Sequence, residues 1–567
     1  MIEMTAWYSN PALVFLIGAA MVPLLKGPLR SLWLLAVPLA SFLLFCLLAD
    51  GQHGQVTLLG LELTTLRLDR LSFIFGVVFH LAALLAVIYA LHVKDTLQHV
   101  AALAYAGAAI GALLAGDLVT LFIWWEATAI SSVFLIWARR TERAYVVGLR
   151  YLVIQVGSGV LLLAGLIIHW HETGSIAFEH FALEGLASWL IFLAFGIKCA
   201  FPLLHNWLQD AYPEATVTGS VVLSAFTTKL AVYALARGFA GTEILIWIGA
   251  AMTAFPIFFA VIENDLRRVL AYSLNNQLGF MVCGIGIGTE LAINGAAAHA
   301  FAHILYKALL FMSMGAVLYR VGTIKASELG GLYKSMPLTA VFCIIGSMSI
   351  SAFPLLSGFV TKSMILAAAA QEHLWLAWLI LLFASAGVLD HSGIKIPFFS
   401  FFAHDSGKRC AEAPRNMLIA MGITAACCIG IGVWPQPLYD LLPYPVDFKP
   451  YTIGHVVTQM QLLMFAAAAF CFLFRRGWYP PEIPSLNLDS DWLYRRAAPA
   501  MVRAVWRLLS DARGFIDHTV IPEATRGLQF LMKPMRPGGA IAHTWSSGTM
   551  TLWVAILLGA YLIFRFI

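Results

Sequence analysis

Lys198, Lys229, Lys307, Lys362 and Lys395 each lie inside a run of apolar residues, and so does Glu126. His299 and His303 precede Lys307 at i, i+4 and i+8, the spacing that puts three side chains on one face of a helix. Amines, imidazoles and carboxyls take up and release protons, and a series of them through an apolar interior is what a proton relay requires. A lysine at the centre of a bilayer costs roughly 2.5–3.5 kcal/mol on insertion scales. Four such lysines, charged and unpaired, would cost on the order of 10 kcal/mol. A fold by itself does not require them. The structural alternative, snorkelling or ion pairing, suits Lys395, which lies close to the end of its run and can reach the interface. His80 and His391 have no partner in helical register and read as structural or interfacial residues. Glu126 needs a cation, and Lys198, two runs further on, is its natural partner. Attraction within such a pair opposes the effect of burial, so small movements can switch its charge state.

The elements that must position these groups follow from composition. The chain has 567 residues, of which 60% are hydrophobic and 11% charged, with a mean hydropathy of +0.83. An average soluble domain has about 25% charged residues. Apolar runs near twenty residues recur, the length that crosses ~30 Å of hydrocarbon as a helix. The spacing predicts an all-α integral membrane protein with spans at 11–26, 30–49, 71–93, 98–116, 117–138, 146–170, 186–206, 216–240, 244–262, 269–288, 292–319, 337–370, 374–403, 415–434, 452–474 and 549–566. That is about sixteen spans. The net charge of +5 follows the membrane topology and is no signal for nucleic acid. The first run follows only the acidic Glu3 and lacks a basic start, so it reads as a first span and not as a cleaved leader. The eight cysteines contain no C-x-x-C, and no metal or cofactor site is expected.

The basic residues orient the chain. With the N-terminus outside, the inner connections collect Arg139, Arg140, Arg143 and Arg150, Arg267 and Arg268, and the basic residues from Arg475 to Arg536. Outside remain Arg67, Arg70, Arg237, Lys449 and Arg565. An internal echo accompanies this. Ala200-Phe201-Pro202-Leu203-Leu204 in the seventh span is repeated as Ala352-Phe353-Pro354-Leu355-Leu356 in the twelfth. Pro202, Pro354 and Gly358 predict broken helices there. The two copies run in opposite directions and each has a lysine nearby, Lys198 and Lys362. Five spans separate them, so spans four to eight and nine to thirteen read as two inverted repeats, the plan of many ion-coupled transporters. The expected divisions are 1–97 for the first three spans, 98–240 and 241–403 for the repeats, 404–476 for spans fourteen and fifteen, 477–548 for an amphipathic cytoplasmic segment, and 549–567 for the last span.

Several motifs together resemble the antiporter-like subunits shared by respiratory complex I, Mrp-type multisubunit cation/proton antiporters and membrane-bound hydrogenases. They are Leu121-Phe122-Ile123-Trp124-Trp125-Glu126, Gly196-Ile197-Lys198, and Pro202-Leu203-Leu204-His205-Asn206-Trp207. Leu266-Arg267-Arg268-Val269-Leu270-Ala271-Tyr272-Ser273, His299-Ala300-Phe301-Ala302-His303 with Lys307, and Ser357-Gly358-Phe359-Val360-Thr361-Lys362 complete the set. The resemblance covers roughly residues 70–435 and is strongest to the Mrp D-type subunit. It implies a glutamate–lysine pair at Glu126 and Lys198, a connecting lysine at Lys229, a relay at His299, His303 and Lys307, and a terminal lysine at Lys362. It further implies other membrane subunits as partners and translocation of H+ and a monovalent cation, with no cofactor in this chain. A redox complex would supply its electron transfer from partner subunits. A membrane scaffold or energy-coupling partner of an uptake complex is the reading from another class. Two departures stand out. The family has prolines where this chain has Gln209 and Ala215-Thr216-Val217, and the part beyond 477 is longer than a D-type subunit needs. Within it, 498–513 reads as an interfacial helix opened by Pro499, with Arg496, Arg503 and Arg507 on one stripe. Pro522, Pro534 and Pro537 predict an irregular arm after it.

Overall fold

Helices follow wherever an apolar run is opened by a capping residue. The computed structural model describes residues 9–483, 487–542 and 545–567, so Glu3 and parts of 477–548 lie outside the described residues. The chain forms two compact units, Met1–Asn487 and Leu488–Ile567.

In the first unit α1 (Pro11–Met21) and α2 (Gly27–Cys46) lead into a β-hairpin, β1 (Gly51–Leu58) paired antiparallel with β2 (Leu61–Leu68). The hairpin was not expected from sequence; Leu61–Leu68 alternates only on either side of Thr64-Thr65, and Leu59 and Gly60 turn with φ of 53° and 81°. Then come α3 (Arg70–Ala90), α4 (Thr96–Leu113), α5 (Leu118–Trp137), α6 (Glu142–Thr173), α7 (Gly185–Cys199), α8 (Asn206–Glu214), α9 (Val217–Ala225) and α10 (Thr227–Gly238). They are followed by α11 (Ile244–Ile262), α12 (Leu266–Ile287), α13 (Glu290–Val321), α14 (Pro337–Ile350), α15 (Ser357–Gln371), α16 (Trp375–Val388), α17 (Lys395–Pro397), α18 (Arg415–Val433), α19 (Gln436–Tyr439) and α20 (Ile453–Arg475). Asp69, Asp95, Asp117, Thr141, Asp265 and Thr289 cap their helices by accepting backbone N–H groups.

Among the described residues twelve helices, not sixteen, are long and apolar enough to cross a membrane. The other expected spans correspond to the shorter stretches Pro11–Leu24, Gly185–Cys199 and Pro337–Ile350, and to α12, which carries Arg267, Arg268, Asn275, Asn276 and Gln277.

The two broken spans are built alike. Ala200 and Ala352 take φ of 62° and 58°, and Leu203 and Leu355 take 69° and 70°. Phe201 N–H donates to Gly196 O and Phe353 N–H to Met348 O, each at 3.0 Å. Gly358 admits the close pass of the half-helices, because a Cβ there would lie 1.9 Å from Ser349 O. Further features recur at one constant spacing. The caps Asp117 and Asp265 each open a helix, and Leu118 N–H to Ile176 O matches Leu266 N–H to Ile324 O. The long helices α6 and α13 each have 32 residues, a threonine N-cap and a left-handed glycine C-cap, Gly174 and Gly322. Asp117 sits at the face holding Arg67, Asp69 and Arg237, and Asp265 at the opposite face, beside Glu263 and Arg268.

Two further interruptions were not expected. The eighth span breaks at Phe226, where the Thr227 N–H donates to Tyr105 Oη of α4 at 2.9 Å. The thirteenth span widens into π-helical turns at Leu389–Ile394 and Phe398–Phe402, a distortion frequent at functional sites.

In the second unit α21 (Ala498–Phe515) forms as expected, but the irregular arm begins later than expected, with bends and turns over the described residues from 536 to 546. A π-turn at Ile516–Val520 carries the chain into α22 (Ile521–Met532), with Pro522 in its first turn, where a missing N–H costs nothing. The unit ends in α23 (Ser547–Phe566).

Candidate functional site

The site lies within the first unit. Lys198, Lys229, His299, His303 and Lys307 are fully buried and Lys362 is 1% exposed. Lysine amines of this kind need acceptors, and helix ends and breaks provide several. Lys229 Nζ donates to Ser224 O at 2.6 Å, two residues before the Phe226 break. Lys362 Nζ donates to Ile350 O at 3.0 Å, the last carbonyl of α14 before the twelfth-span break, and lies 4.9 Å from the Phe280 ring centroid. Lys198, the last but one residue of α7, donates to Trp125 O at 2.5 Å and Thr128 Oγ1 at 2.8 Å, with its amine 4.3 Å from the Trp125 ring centroid.

The direct ion pair expected between Glu126 and Lys198 is not formed. No contact within 4 Å joins them among the described residues, and Glu126 Oε1 is buried with no hydrogen-bond partner. Glu126 instead packs on α6 at Gly159, where a Cβ would lie 1.6 Å from its Oε1. Glycine is what leaves room for the carboxyl, while Lys198 is taken up by the Trp125 carbonyl and the Thr128 hydroxyl. The two charges still act on each other across that gap.

On α13 the expected stripe is present. The rings of His299 and His303 stack with centroids 6.2 Å apart. His299 Nδ1 is 3.1 Å from Thr361 Oγ1, and its Nε2 is 3.2 Å from Gln277 Oε1. Among the described residues neither ring nitrogen of His303 has a hydrogen-bond partner, nor does Lys307 Nζ. Buried polar atoms are nearly always paired, so this run of unpaired ones at the centre is the departure that matters. Electrostatic coupling links the series. Lys229 acts on His303 and Lys307, Lys362 on His299 and His303, and Lys307, Lys362 and Lys395 on His391.

Lys395 does not snorkel. Its side chain is fully buried, donating to Val261 O at 2.6 Å and Glu263 O at 2.7 Å, and it is ion-paired with Glu482 at 2.9 Å. Residues of the segment 477–483 cover it, Glu482 among them. His391 and Asp390, both in the π-turn, are likewise interior groups with unpaired atoms. Sequence reasoning missed this cluster, although an aspartate, a histidine and a lysine within six residues of an apolar run were a signal. It also missed Gln277, Tyr306 and Thr361, which hold His299, and the orphaned Gln155, which stands in α6 where His303 stands in α13. His80 is a satisfied structural residue, bonded to Ser41 Oγ and Gly76 O at 2.9 and 2.7 Å.

Comparison with known proteins agrees with this architecture. Residues 115–435 match the transmembrane family described as NADH:quinone oxidoreductase/Mrp antiporter. Relatives include the D-type subunit of the Na(+)/H(+) antiporter of Alkalihalophilus pseudofirmus, 32% identical over 58% of this chain and 71% of that protein. Hydrogenase-4 component B of Escherichia coli is 27% identical over 66% of this chain. The A/B-type subunit of a probable K(+)/H(+) antiporter of Rhizobium meliloti is 30% identical, also over 66%. The chain spans only 63% and 41% of the length of those last two relatives. In fold the chain is similar to one component of the Mrp complex from Dietzia sp. DQ12-45-1b, with a TM-score of 0.66 and 21% identity over 82% of this chain and 96% of that one. It is equally similar to one of the membrane-bound sulfane sulfur reductase, an archaeal respiratory membrane complex, with 0.68 and 23% over 81% and 98%. With its family motifs, its broken helices and the match over more than half its length, this multi-span membrane protein belongs to the NADH:quinone oxidoreductase/Mrp antiporter transmembrane family.

Proposed function

We propose that the chain is the proton- and cation-translocating subunit of a multisubunit monovalent cation/proton antiporter of the Na+/H+ type. It lies in the cell membrane, with the arginine-rich connections facing the cytoplasm and other membrane subunits as partners. Residues 98–240 and 241–403 act as two inverted repeats around one proton path. Glu126, Lys198, Lys229, His299, His303, Lys307 and Lys362 carry the proton; Pro202, Pro354 and Gly358 mark the broken spans, and the break at Pro354 supplies the Ile350 carbonyl to Lys362. The observation that carries this reading is the series of buried titratable groups, with His303 and Lys307 lacking hydrogen-bond partners among the described residues at its centre. A proton moving inward across 100 mV releases about 2.3 kcal/mol, enough to drive a cation outward at comparable gradients. Likeness to the hydrogenase-4 component favours a second reading, a proton-pumping subunit of a redox complex. Inverted vesicles holding the whole complex separate the two. Sodium- or potassium-dependent proton release with no electron donor supports antiport, and proton flux only with a donor supports the redox reading. In either case Glu126→Gln and Lys198→Ala should abolish flux while the protein still inserts. Full flux in both variants at normal expression removes these residues from the mechanism.

A further inference from the structure

The series does not stop at the centre of the fold. Beyond Lys307 and Lys362 the buried titratable groups go on along the thirteenth span with His391 and Lys395, both fully buried. His391 Nδ1 is 2.8 Å from Ser392 Oγ, which donates to Ser273 Oγ at 2.7 Å, and His391 Nε2 has no partner. Lys395 follows four residues after His391. It meets a segment that lies past the family-matched region. At Gly477 (φ 68°) the chain leaves α20 in a turn in which Trp478 and Tyr479 N–H groups both donate to Leu473 O, at 2.9 and 3.1 Å. Tyr479 is buried among Phe399, Phe470 and Phe474, with ring centroids 6.5, 4.9 and 6.3 Å away. Pro480 and Pro481 stiffen the next step, and Glu482 arrives with Oε1 2.9 Å from Lys395 Nζ. Asn487 closes the strap by donating to Glu263 Oε2 at 3.0 Å.

We propose that this strap makes Glu482 the proton-exchanging carboxyl at a second terminus of the relay, on the membrane face that carries Arg268. The proposal rests on the relay reading above. A proton on the Lys395 ammonium passes along the ion pair to the Glu482 carboxylate, leaving a neutral amine and a neutral acid. The acid then gives its proton to water at that face and returns to the carboxylate, and the amine is recharged from the His391 side. Three features suit Glu482 to this. Its side chain is 8% exposed, against 0% for Lys395, so it stands between the interior and the surface. Its Oε2 is buried and unpaired, free to take a proton. Burial raises its carboxyl above the ordinary carboxylate range against the pull of Lys395, with Glu263 adding to the rise. The charged and titratable groups facing it are Lys395 and Asp390 from the thirteenth span, Glu263 from the end of α11, and Tyr479 from the strap itself. Arg268 is ion-paired with Glu263, at 3.9 Å.

A merely structural tie makes a different forecast, because the amide oxygen of a glutamine still accepts from Lys395. The test is Glu482→Gln in the full chain within its complex, assayed for proton flux in inverted vesicles beside Glu482→Asp and His303→Ala. Proton-transfer groups contribute on the order of 10²–10⁴ in rate, so even a partly bypassed terminus should show a fall of about tenfold or more in Glu482→Gln at normal expression and melting temperature. Glu482→Asp should recover part of the flux with a displaced pH profile. Unchanged flux in Glu482→Gln overturns the proposal. If that variant folds poorly, Glu482→Asp decides, since an unchanged pH profile overturns the proposal and a displaced one upholds it. His303→Ala separates the two levels. Loss of flux there with full flux in Glu482→Gln leaves the relay standing and removes only this terminus, whereas full flux in His303→Ala defeats the relay reading itself.

Discussion

At the residue scale the chemistry is set by which buried groups have protein partners and which do not. His299 is held by Thr361 and Gln277, whereas neither ring nitrogen of His303, one turn on, has a hydrogen-bond partner among the described residues. An imidazole with both nitrogens unengaged has no hydrogen bond fixing its tautomer, so it can take a proton at one nitrogen and give one up from the other. His303→Ala should therefore slow transport and move its pH optimum, measured as initial flux in inverted vesicles from mildly acidic to mildly alkaline pH. An unchanged optimum would return His303 to the role of a packed core residue. Glu126 and Gly159 give a second case. A methyl group on residue 159 collides with the carboxyl at 1.6 Å, so Gly159→Ala must displace Glu126. That variant should insert normally yet lose severalfold in flux. Equal flux would show that the position of this carboxyl is immaterial. The sequence made the stripe of His299, His303 and Lys307 legible, because i, i+4 spacing is local. It led to an ion pair for Glu126 that is not formed, because the seat on Gly159 depends on how α5 meets α6.

At the scale of elements the helix interruptions position the charges. Lys229 and Lys362 are both tied to carbonyls beside a break, and the twelfth-span break depends on Gly358 passing against Ser349. Gly358→Ala forces the two half-helices apart or strains both. Overpacking of this kind costs typically about 1–3 kcal/mol. The expected result is a lower melting temperature of the detergent-extracted protein and reduced flux. A variant with the wild-type melting temperature and flux would mean that the half-helices separate freely. Proline and glycine announced the breaks at Pro202 and Pro354 in the sequence. Nothing comparable marks Phe226, where a hydroxyl from Tyr105 on another helix takes the place of a local carbonyl. The π-turn at Leu389–Ile394 is equally silent in sequence, since π and α helices share almost the same residue preferences.

At the scale of the whole molecule the chain is a membrane unit to residue 487 followed by a second unit of helices, all of whose large apolar residues are exposed. On α21 those residues include Met501, Val505, Leu508 and Leu509, opposite Arg503 and Arg507. An exposed apolar stripe of this length in a membrane protein meets lipid or another subunit. Deletion of residues 488–567 should leave the first unit inserted with the strap intact, and should reduce co-purification of partner subunits. If the shortened chain still recovers every partner in normal ratio, docking lies elsewhere and the stripe serves lipid alone. Cutting earlier, after Gly477, would also remove Glu482 and Asn487 and so confound docking with loss of the strap.

By itself the sequence determined that the chain is a multi-span membrane protein, that two of its spans are broken alike, and that Lys198, Lys229, His299, His303, Lys307 and Lys362 are interior. Those properties depend on hydropathy over about twenty residues, on the period of about 3.6 residues per turn, and on proline and glycine, all of which act along the chain. Only the tertiary structure decided which neighbour each interior charge meets. Lys198 meets a backbone carbonyl and a threonine of α5 in place of Glu126, and Lys395 meets Glu482 in place of the membrane surface. The reason is that a buried charge takes whatever acceptor the packing of distant segments brings within hydrogen-bond reach, and that choice leaves no periodic trace in the residues around it.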